Sequence, residues 1–573
     1  MTPRNGVPCL SFAFFLLGFW LLASPSRVSA ADRPSGPIHK TRSAVIARNG
    51  MAATSQPLAT AAAIRILQEG GNAIDAAIAA NAVLGVVEPM SCGIGGDLFA
   101  IVWDAKARKL WGINASGRSP YSANRDFFKS KGLKAIPTHG PLSWSVPGCV
   151  DGWEVLLKEF GSKSMADVLE PAIEYASRGF PVSEIIAADW KGAEPELAKI
   201  PTSAACFLPG GKAPAIGDVF GNPGLSHTLK LIAEGGAKAF YRGPIADAIV
   251  AYSKNNGGLF SLKDFADHES TWVEPVSTNY RGYDVWELPP NGQGIATLQM
   301  LNLLEPYDLK SMGPSSVDAL HLMVEAKKLA YEDRAKYYAD MDFAKVPVDR
   351  LISKEYAKTR ASLIQSARAN ERPMPGEPGE ADTIYLTVVD KDRNCVSLIQ
   401  SNFHGFGSYH VPGNLGFALQ NRGCLFAFDE SHANRLEPHK RPFHTIIPGF
   451  ITKDGQPWLS FGLMGGDMQA QGHAQMVCNL IDFGMDVQEA GDAPRFRHLG
   501  SSEPTGERAK DGGQVALESG VSEDVRKALE ARGHKLVTSR GGFGGYQAIR
   551  IDIERGVLIG GSDPRKDGAA MGY

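Results

Sequence analysis

The 573-residue sequence lacks the short motifs that define several classes of enzyme. It has no Gly-x-Ser-x-Gly run, which disfavours a serine hydrolase built on that turn. It has no Gly-x-Gly-x-x-Gly run and no Gly-Lys-Ser/Thr loop, so the glycines at 93–96 predict a tight turn rather than a phosphate-binding loop. It also lacks the His-Glu-x-x-His and Cys-x-x-Cys spacings of zinc sites.

Cysteine is scarce: the sequence has seven, and Cys9 lies in an N-terminal apolar segment. The other six are widely spaced, which is typical of buried thiols and allows a disulfide without requiring one. His439 and His444 belong to no metal-binding pattern, and both are interpreted as surface or substrate-side groups. We therefore expect no metal ion.

A strong charge imbalance is also missing. The net charge of -3, with 21% charged residues, gives no reason to expect nucleic acid or an anionic membrane as a partner. The one long apolar run, 9–23, follows Arg4, precedes small residues at 28–30, and is shorter than the ~20 residues of a membrane span. This run predicts a signal peptide over residues 1–30. The mature protein is expected to be periplasmic or secreted, with no membrane attachment after the signal is removed. A retained membrane anchor is the alternative.

Most of the remaining chain is predicted to be scaffold. Two helices are expected in 57–87, separated at Gly70–Asn72, and two strands near 99–103 and 110–114. Apolar residues at three- and four-residue spacing predict further helices, at 166–177, 227–232, 245–255, 298–304 and 316–339. No internal repeat and no clear interdomain linker is found.

The stretch Asp382–Asp390 has the alternating pattern of a β-strand, with apolar residues at every second position. A turn follows, and then a second predicted strand, Cys395–Ser401. A hairpin between the two strands places Ser401 directly opposite Thr383. The preceding residues 366–381 are rich in proline, glycine and charge, which predicts a flexible linker.

A threonine at the start of a strand, after such a linker, suggests a particular chemistry. If the Asp382–Thr383 bond is cut, Thr383 gains a free α-amine with a pKa near ~8, which can act as the base for its own hydroxyl. For this residue taken alone, an ordinary strand-edge threonine is the simpler interpretation, because β-branched residues favour strands.

A second candidate element lies further along the chain. A predicted strand at 458–462 leads to Gly465 and Gly466, and a helix is expected to begin at Asp467. Free backbone N–H groups at a helix N-terminus, with the helix dipole, can stabilise a developing oxyanion. A purely structural turn is the alternative.

The run DTIYLTVVDKDRNCVSLIQSNFHGFGS, which begins at Asp382, resembles the processing segment of the γ-glutamyltransferase family of self-cleaving N-terminal-nucleophile hydrolases. Six further blocks resemble the family in the same order, at 55–99, 145–153, 279–294, 325–340, 464–484 and 560–573. The resemblance implies an α+β fold, a four-layer αββα sandwich, and cleavage between Asp382 and Thr383. It implies a large chain of 31–382 and a small chain of 383–573 that stay associated as a heterodimer, without an organic cofactor.

The resemblance also implies roles for individual residues. Thr383 is the expected nucleophile and Ser401 orients its hydroxyl, while the N–H groups of Gly465 and Gly466 hold the oxyanion. Arg118 falls where the family keeps an arginine for the substrate carboxylate, a task that suits a guanidinium because its paired N–H groups match two oxygens.

The sequence departs from the family pattern where the acyl group is recognised. The usual Ser-Ser pair is replaced by His444-Thr445, of which Thr445 keeps a hydroxyl. The aspartate that pairs with the substrate amine is replaced by Cys424, with Asn421 three residues earlier. An ammonium without a carboxylate partner is poorly bound, and this QNRG variant resembles the branch that includes acylases. The stretch between Cys424 and Arg441 is short, which predicts an open pocket without a lid.

Three functions are therefore considered. The first is a γ-glutamyltransferase or glutathione hydrolase that passes an acyl group to water or to an amino-acid or peptide acceptor. The second is an acylase for another acidic amide, such as a glutaryl or oxamyl amide. The third, an exported binding protein that keeps the fold and is never cut, is the least favoured.

Overall fold

The computed structural model describes residues 40–371 and 382–573. The predicted signal peptide and most of the predicted linker before Thr383 lie outside these residues. Within them, no helix is both long enough and apolar enough to cross a membrane.

The described residues form nineteen β-strands. They are β1 Val45–Ala47, β2 Met51–Thr54, β3 Asp97–Asp104, β4 Lys109–Ala115, β5 Phe180–Pro181, β6 Val219–Phe220, β7 Thr271–Val273, β8 Val276–Tyr280, β9 Tyr283–Glu287, β10 Asp382–Val389, β11 Cys395–Phe403, β12 Gly449–Lys453, β13 Gln456–Met464, β14 Phe496–Leu499, β15 Gln514–Leu517, β16 Leu536–Val537, β17 Gly545–Asp552, β18 Val557–Ser562 and β19 Ala569–Gly572.

The described residues also form eighteen α-helices. They are α1 Pro57–Gln68, α2 Ala73–Val87, α3 Arg125–Ser130, α4 Cys149–Phe160, α5 Met165–Arg178, α6 Glu184–Leu197, α7 Pro201–Phe207, α8 Pro223–Tyr241, α9 Pro244–Asn255, α10 Leu262–Ala266, α11 Gly294–Leu304, α12 Leu309–Met312, α13 Val317–Tyr337, α14 Val348–Leu351, α15 Lys354–Ala361, α16 Met468–Ile481, α17 Val487–Asp492 and α18 Glu523–Ala531.

Two seven-stranded sheets form the centre of the fold. The first has the order β19-β2-β10-β11-β3-β4-β7, and the second has the order β1-β18-β17-β13-β12-β9-β8. Every strand pair in these two sheets is antiparallel. Small sheets of three strands (β14-β15-β16) and two strands (β5-β6) lie outside them.

The buried side chains show that the two sheets face each other between two helical layers. One apolar cluster joins Tyr385 and Phe99 of the first sheet to Phe450 and Ile549 of the second. A second cluster packs the outer face of the first sheet, including Ile384, on helices such as α2 and α5. A third packs the outer face of the second sheet on α11, α13 and α16. The order helix, sheet, sheet, helix confirms the predicted four-layer architecture.

The strand and helix predictions are largely confirmed. α1 and α2 occupy 57–87 with a break at the predicted glycines, and β13 is followed by α16, whose first turn begins at Asp467 as the cap. In the 141–365 region the predicted helices overlap α5, α8, α9, α11 and α13, and the one at 316–339 extends beyond both ends of α13. The sequence analysis missed β7, β8 and β9.

The hairpin register differs from the prediction at one point. Ile384 faces Gln400 and Val389 faces Cys395, as the predicted hairpin requires. Between Asp382 and Ile384 the ladder shifts, so that Asp382 faces Phe403. Thr383 therefore lies at an irregularity of the sheet, and such irregularities re-aim a side chain at functional sites.

Candidate active site

Thr383 lies at the start of β10, between β2 and β11 in the middle of the first sheet. Its side chain is fully buried, and its Oγ1 lies 3.2 Å from the Oγ of Ser401 on β11. Gln469, in the first turn of α16, places its Nε2 3.5 Å from Thr383 Oγ1. The Oε1 of Gln469 accepts the Ile447 N–H at 3.0 Å, which fixes which end of the amide faces the threonine.

A buried arginine organises the polar groups beside Thr383. Arg422 donates from Nη2 to Ser401 Oγ at 3.0 Å and from Nη1 to Thr445 Oγ1 at 2.7 Å. Its guanidinium lies 4.4 Å from the centre of the Phe403 ring. Burial lowers the pKa of Arg422 to about 9, so the group remains a cation at neutral pH. One side chain therefore fixes two hydroxyls on separate segments.

Ser401 receives hydrogen bonds from two fixed donors. Besides Arg422, the backbone N–H of Phe403 donates to Ser401 Oγ at 2.8 Å. The Thr383 hydroxyl donates to the same Ser401 oxygen, at 3.2 Å. Ser401 therefore fixes the direction of the Thr383 hydroxyl.

The Gly465-Gly466 turn joins β13 to α16 and has a conformation that favours glycine, with φ values of 119° and 56°. The Gly465 carbonyl accepts from Met468 N at 2.9 Å, and the Gly466 carbonyl accepts from Gln469 N at 3.1 Å. In a trans peptide the N–H points away from the preceding carbonyl, so the Gly466 N–H points away from the helix. Within the described part of the chain it has no hydrogen-bond acceptor.

A cavity of about 630 Å³ opens beside these groups. Phe403 and Thr445, the two neighbours of Arg422, form part of its wall. The other lining residues are Lys134, Ala135, Ile136, Thr138, His404, Cys424, Leu425, Phe426, Phe428, Asp429, Asp467, Glu503, Thr505, Gly506 and Glu507. Its volume lies within the range of small-molecule sites, and the wall combines apolar side chains with a few charged groups.

One wall of the cavity carries two carboxylates held by a single buried cation. Arg334 on α13 donates from Nη1 to Asp467 Oδ1 at 2.5 Å and from Nη2 to Glu503 Oε1 at 2.6 Å. The side chains of Asp467 and Glu503 are 12% and 8% exposed, and both line the cavity. Burial raises the pKa of Glu503 well above its usual range. The cavity therefore has acidic groups although Cys424 is neutral.

Arg118, the predicted substrate-carboxylate arginine, stays a prediction, and the structure places it among other carboxylates. Its guanidinium pairs with Asp340 at 3.3 Å and with Asp342 at 3.1 Å, and it is not among the residues that line the cavity. Those two carboxylates already engage its donors. The arginine that the structure brings to Ser401 and Thr445 is Arg422.

His444 is fully buried rather than a surface or substrate-side group. Its Nε2 donates to Asp97 Oδ2 at 3.0 Å, and its ring lies 4.9 Å from that of Phe99. Burial lowers the pKa of His444 to about 4, so the ring is neutral near pH 7. Asp97 also accepts from Gln420 Nε2 at 2.8 Å. His444 thus helps to hold the segment from which the adjacent Thr445 reaches the cavity.

The other two predicted binding residues occupy different places. Cys424 lines the cavity, and burial raises the pKa of its thiol to about 12. Asn421 does not line it, but donates from Nδ2 to the Thr138 carbonyl at 2.7 Å and lies 2.9 Å from His404 Nδ1. Asn421 therefore braces two lining residues from behind.

One group of side chains has metal-binding donors: His321, Glu325 and His534, whose ligand atoms lie within 4.8 Å of one another. A cation already neutralises this carboxylate, because Lys328 Nζ lies 2.7 Å from Glu325 Oε1. The two imidazoles are 2.8 Å apart through His321 Nδ1 and His534 Nε2, a hydrogen-bond distance. These contacts form a buried hydrogen-bond network, which explains why the three side chains lie together.

The two facing sheets, the helical layers and the threonine at the start of a central strand define the αββα sandwich of the N-terminal-nucleophile hydrolase type. The sequence model of the gamma-glutamyltranspeptidase family matches residues 59–573. The chain belongs to that family, and it is a hydrolase or transferase of this type.

Individual relatives agree with this assignment. The chain is 40% identical to the glutathione hydrolase-like YwrD proenzyme of Bacillus subtilis, over 92% of this chain and 99% of that protein. It is 37% identical to the acylase ACY 1 proenzyme of a Pseudomonas species, over 91% of this chain and 93% of that protein. The crystal structure of cephalosporin acylase from Bacillus halodurans superposes with a TM-score of 0.87 and 43% identity, covering 95% of this chain and 99% of that one.

Sequence reasoning missed several residues that contact groups of the candidate site. Arg422 lies in the QNRG run, which was treated as the mark of a branch rather than as a group with its own contacts. Gln469 lies in the first turn of the predicted helix, and a helical projection from the Gly-Gly turn could have found it. No local pattern points to Gln293 or Arg334, because their contacts join distant segments.

Proposed function

We propose that this chain is an exported precursor that cuts itself between Asp382 and Thr383, and that Thr383 is then the nucleophile of an amide acyl transfer. The observation that carries the proposal is the Thr383 hydroxyl, 3.2 Å from Ser401 Oγ at the start of a central strand. The large chain of 31–382 and the small chain of 383–573 remain associated as a heterodimer. The signal peptide of 1–30 accounts for export to the periplasm or beyond.

The reaction uses groups of the chain itself. The new α-amine of Thr383 takes the hydroxyl proton while the oxygen attacks the side-chain amide carbonyl of the substrate. Ser401 accepts from the Thr383 hydroxyl and orients it for the attack. The N–H groups of Gly465 and Gly466 stabilise the oxyanion of the tetrahedral intermediate. The amine of the substrate amide takes up the proton and leaves. Water, or an amino-acid or peptide acceptor, then releases the acyl group from Thr383.

The favoured substrate class is a γ-glutamyl amide such as glutathione. The Thr445 hydroxyl, fixed by Arg422, is suited to the acyl carboxylate, and the cation behind it adds attraction. Asp467, paired with Arg334, gives the cavity wall a carboxylate that is compatible with a substrate amine. The neutral Cys424 favours the second candidate, an acylase for glutaryl or oxamyl amides, because the amine then has no carboxylate at that position.

Two measurements test the proposal. Denaturing electrophoresis of the purified protein should give two bands, and the small one should begin at Thr383 by N-terminal sequencing. Comparing γ-glutamyl and glutaryl anilides, which differ only in the α-amine, then decides between the two substrate classes. An uncut protein that hydrolyses neither anilide would contradict the proposed function.

A further inference from the structure

Gln293 is a fully buried side chain that joins two segments of the site. The residue occupies the N-cap position of α11, after β9, and its side chain makes no capping hydrogen bond to the helix. Its Nε2 donates to the Thr445 carbonyl at 2.7 Å and to the Gly466 carbonyl at 2.9 Å. Its Oε1 accepts from Arg334 Nη1 at 2.8 Å. Both amide hydrogens and one oxygen lone pair are therefore used.

These contacts fix the orientation of the amide. A guanidinium has only donors, so the atom of Gln293 that faces Arg334 must be the oxygen. The nitrogen then faces the carbonyls of Thr445 and Gly466, which accept its two hydrogens. The Arg334 guanidinium also donates to Asp467, the residue after Gly466. The Gly465-Gly466 turn is therefore held by both Gln293 and Arg334.

The turn needs such an anchor because of its composition. Two consecutive glycines leave the N–H groups unobstructed but have wide conformational freedom. A displacement of about 1 Å in a catalytic group can lower the rate roughly a hundredfold. Gln293 donates to the carbonyl of Gly466, and the N–H of Gly466 faces away from the helix.

We propose that Gln293 is a positioning residue for acyl transfer. It acts through Gly466, which it aligns as an oxyanion donor, and through Thr445, whose hydroxyl meets the acyl group, without touching the substrate itself. The inference rests on the proposed function, because it requires the Gly465-Gly466 turn to be the oxyanion site.

The test compares Gln293→Met with Gln299→Met. Gln299 lies on the same helix, is also buried, and uses both ends of its amide, on Asp333 at 2.8 Å and on Tyr338 at 2.6 Å. Its side-chain hydrogen bonds involve neither Gly466 nor Thr445. Methionine is unbranched and close to glutamine in size, so each variant loses its hydrogen bonds with little change of shape.

The expected result for Gln293→Met is a kcat per cleaved chain roughly ten- to a hundredfold lower, since loss of a whole oxyanion donor costs 10²–10³-fold. Self-cleavage should slow as well. Gln299→Met should lose thermal stability but keep the wild-type kcat. A purely structural role predicts instead that both variants lose stability and keep kcat.

A second substitution protects the test against misfolding. Gln293→Glu keeps the size and the contact with Arg334 but puts an oxygen where Nε2 donates to the Thr445 and Gly466 carbonyls, so kcat should fall in the protein that folds and is cleaved. A folded, cleaved Gln293→Glu enzyme with wild-type kcat overturns the inference. If the wild-type protein is uncut and inactive on both anilides, the proposed function fails instead, so the two failures are distinguishable.

Discussion

Replacing Arg422 with methionine should lower kcat without a matching loss of stability. Arg422 is fully buried and donates to two hydroxyls, and within the described residues it has no carboxylate in direct contact. Arg334 is equally buried but is paired with Asp467 and Glu503. Arg334→Met is therefore a matched control for the loss of a buried cation.

The two magnitudes follow from these contacts. A hydrogen bond from a charged donor contributes about 1.5–3 kcal/mol, so loss of the Arg422–Ser401 contact should lower kcat roughly ten- to 150-fold. A whole buried ion pair can be replaced by apolar side chains with little loss of stability, because the desolvation cost of the charges is removed. Arg422→Met likewise removes a desolvated charge and leaves no carboxylate unpaired. Arg334→Met leaves two buried carboxylates unpaired, which should destabilise the protein by about 3–5 kcal/mol.

Stability should be measured by thermal or denaturant unfolding in a Thr383→Ala background, so that every variant stays uncut. Activity should be measured on cleaved protein, with kcat expressed per small chain. Arg422→Met should unfold at or above the temperature of its parent, whereas Arg334→Met should unfold well below it. The reasoning is refuted if Arg422→Met keeps full kcat, or if it is as unstable as Arg334→Met.

Other variants test the remaining roles. Thr383→Ala should leave one inactive full-length chain on a gel, while Thr383→Ser should still be cut, more slowly. Gly466→Val should lower kcat roughly 10²-fold or more, and an unchanged kcat in cleaved protein would contradict the oxyanion assignment. Cys424→Asp should raise kcat/KM for the γ-glutamyl anilide relative to the glutaryl anilide by roughly ten- to a hundredfold; an unchanged ratio would mean that other groups bind the amine. Burial lowers the pKa of His410 to about 4, so the unfolded state takes up its proton first and stability falls as pH drops from about 6.5 towards 4. His410→Gln should reduce that slope in pH-dependent unfolding, and the exposed His227→Gln should not.

The fold could be predicted where local pattern and burial agree. The alternation in 384–389 places one face on the helices and the other on the second sheet, as the structure has it. The strands β7, β8 and β9 were missed because they are short and lie at or near sheet edges, where one face carries little apolar signal. The shift at Asp382 could not be foreseen, since it depends on how β11 continues past Ser401.

The sequence indicates the local arrangement of neighbouring site residues, but it does not indicate contacts between distant segments. Gly465, Gly466 and the helix that follows form one local unit, so the pattern alone indicated their arrangement. Arg118 was chosen by alignment with a family pattern, but its guanidinium pairs with Asp340 and Asp342 elsewhere in the fold. Which of several arginines reaches a given hydroxyl depends on long-range packing that no sequence period encodes.

The strand order has a consequence for the cleaved enzyme. If the chain is cut as proposed, β2, β3 and β9 belong to the large chain and pair with β10, β11 and β12 of the small one. Separating the chains would then break ladders in both sheets and open the core between them. Gln293 and Arg334 belong to the large chain, while Gly466 and Thr445 belong to the small one. The small chain alone therefore carries the nucleophile but lacks the anchors of its oxyanion turn, and activity should require both chains.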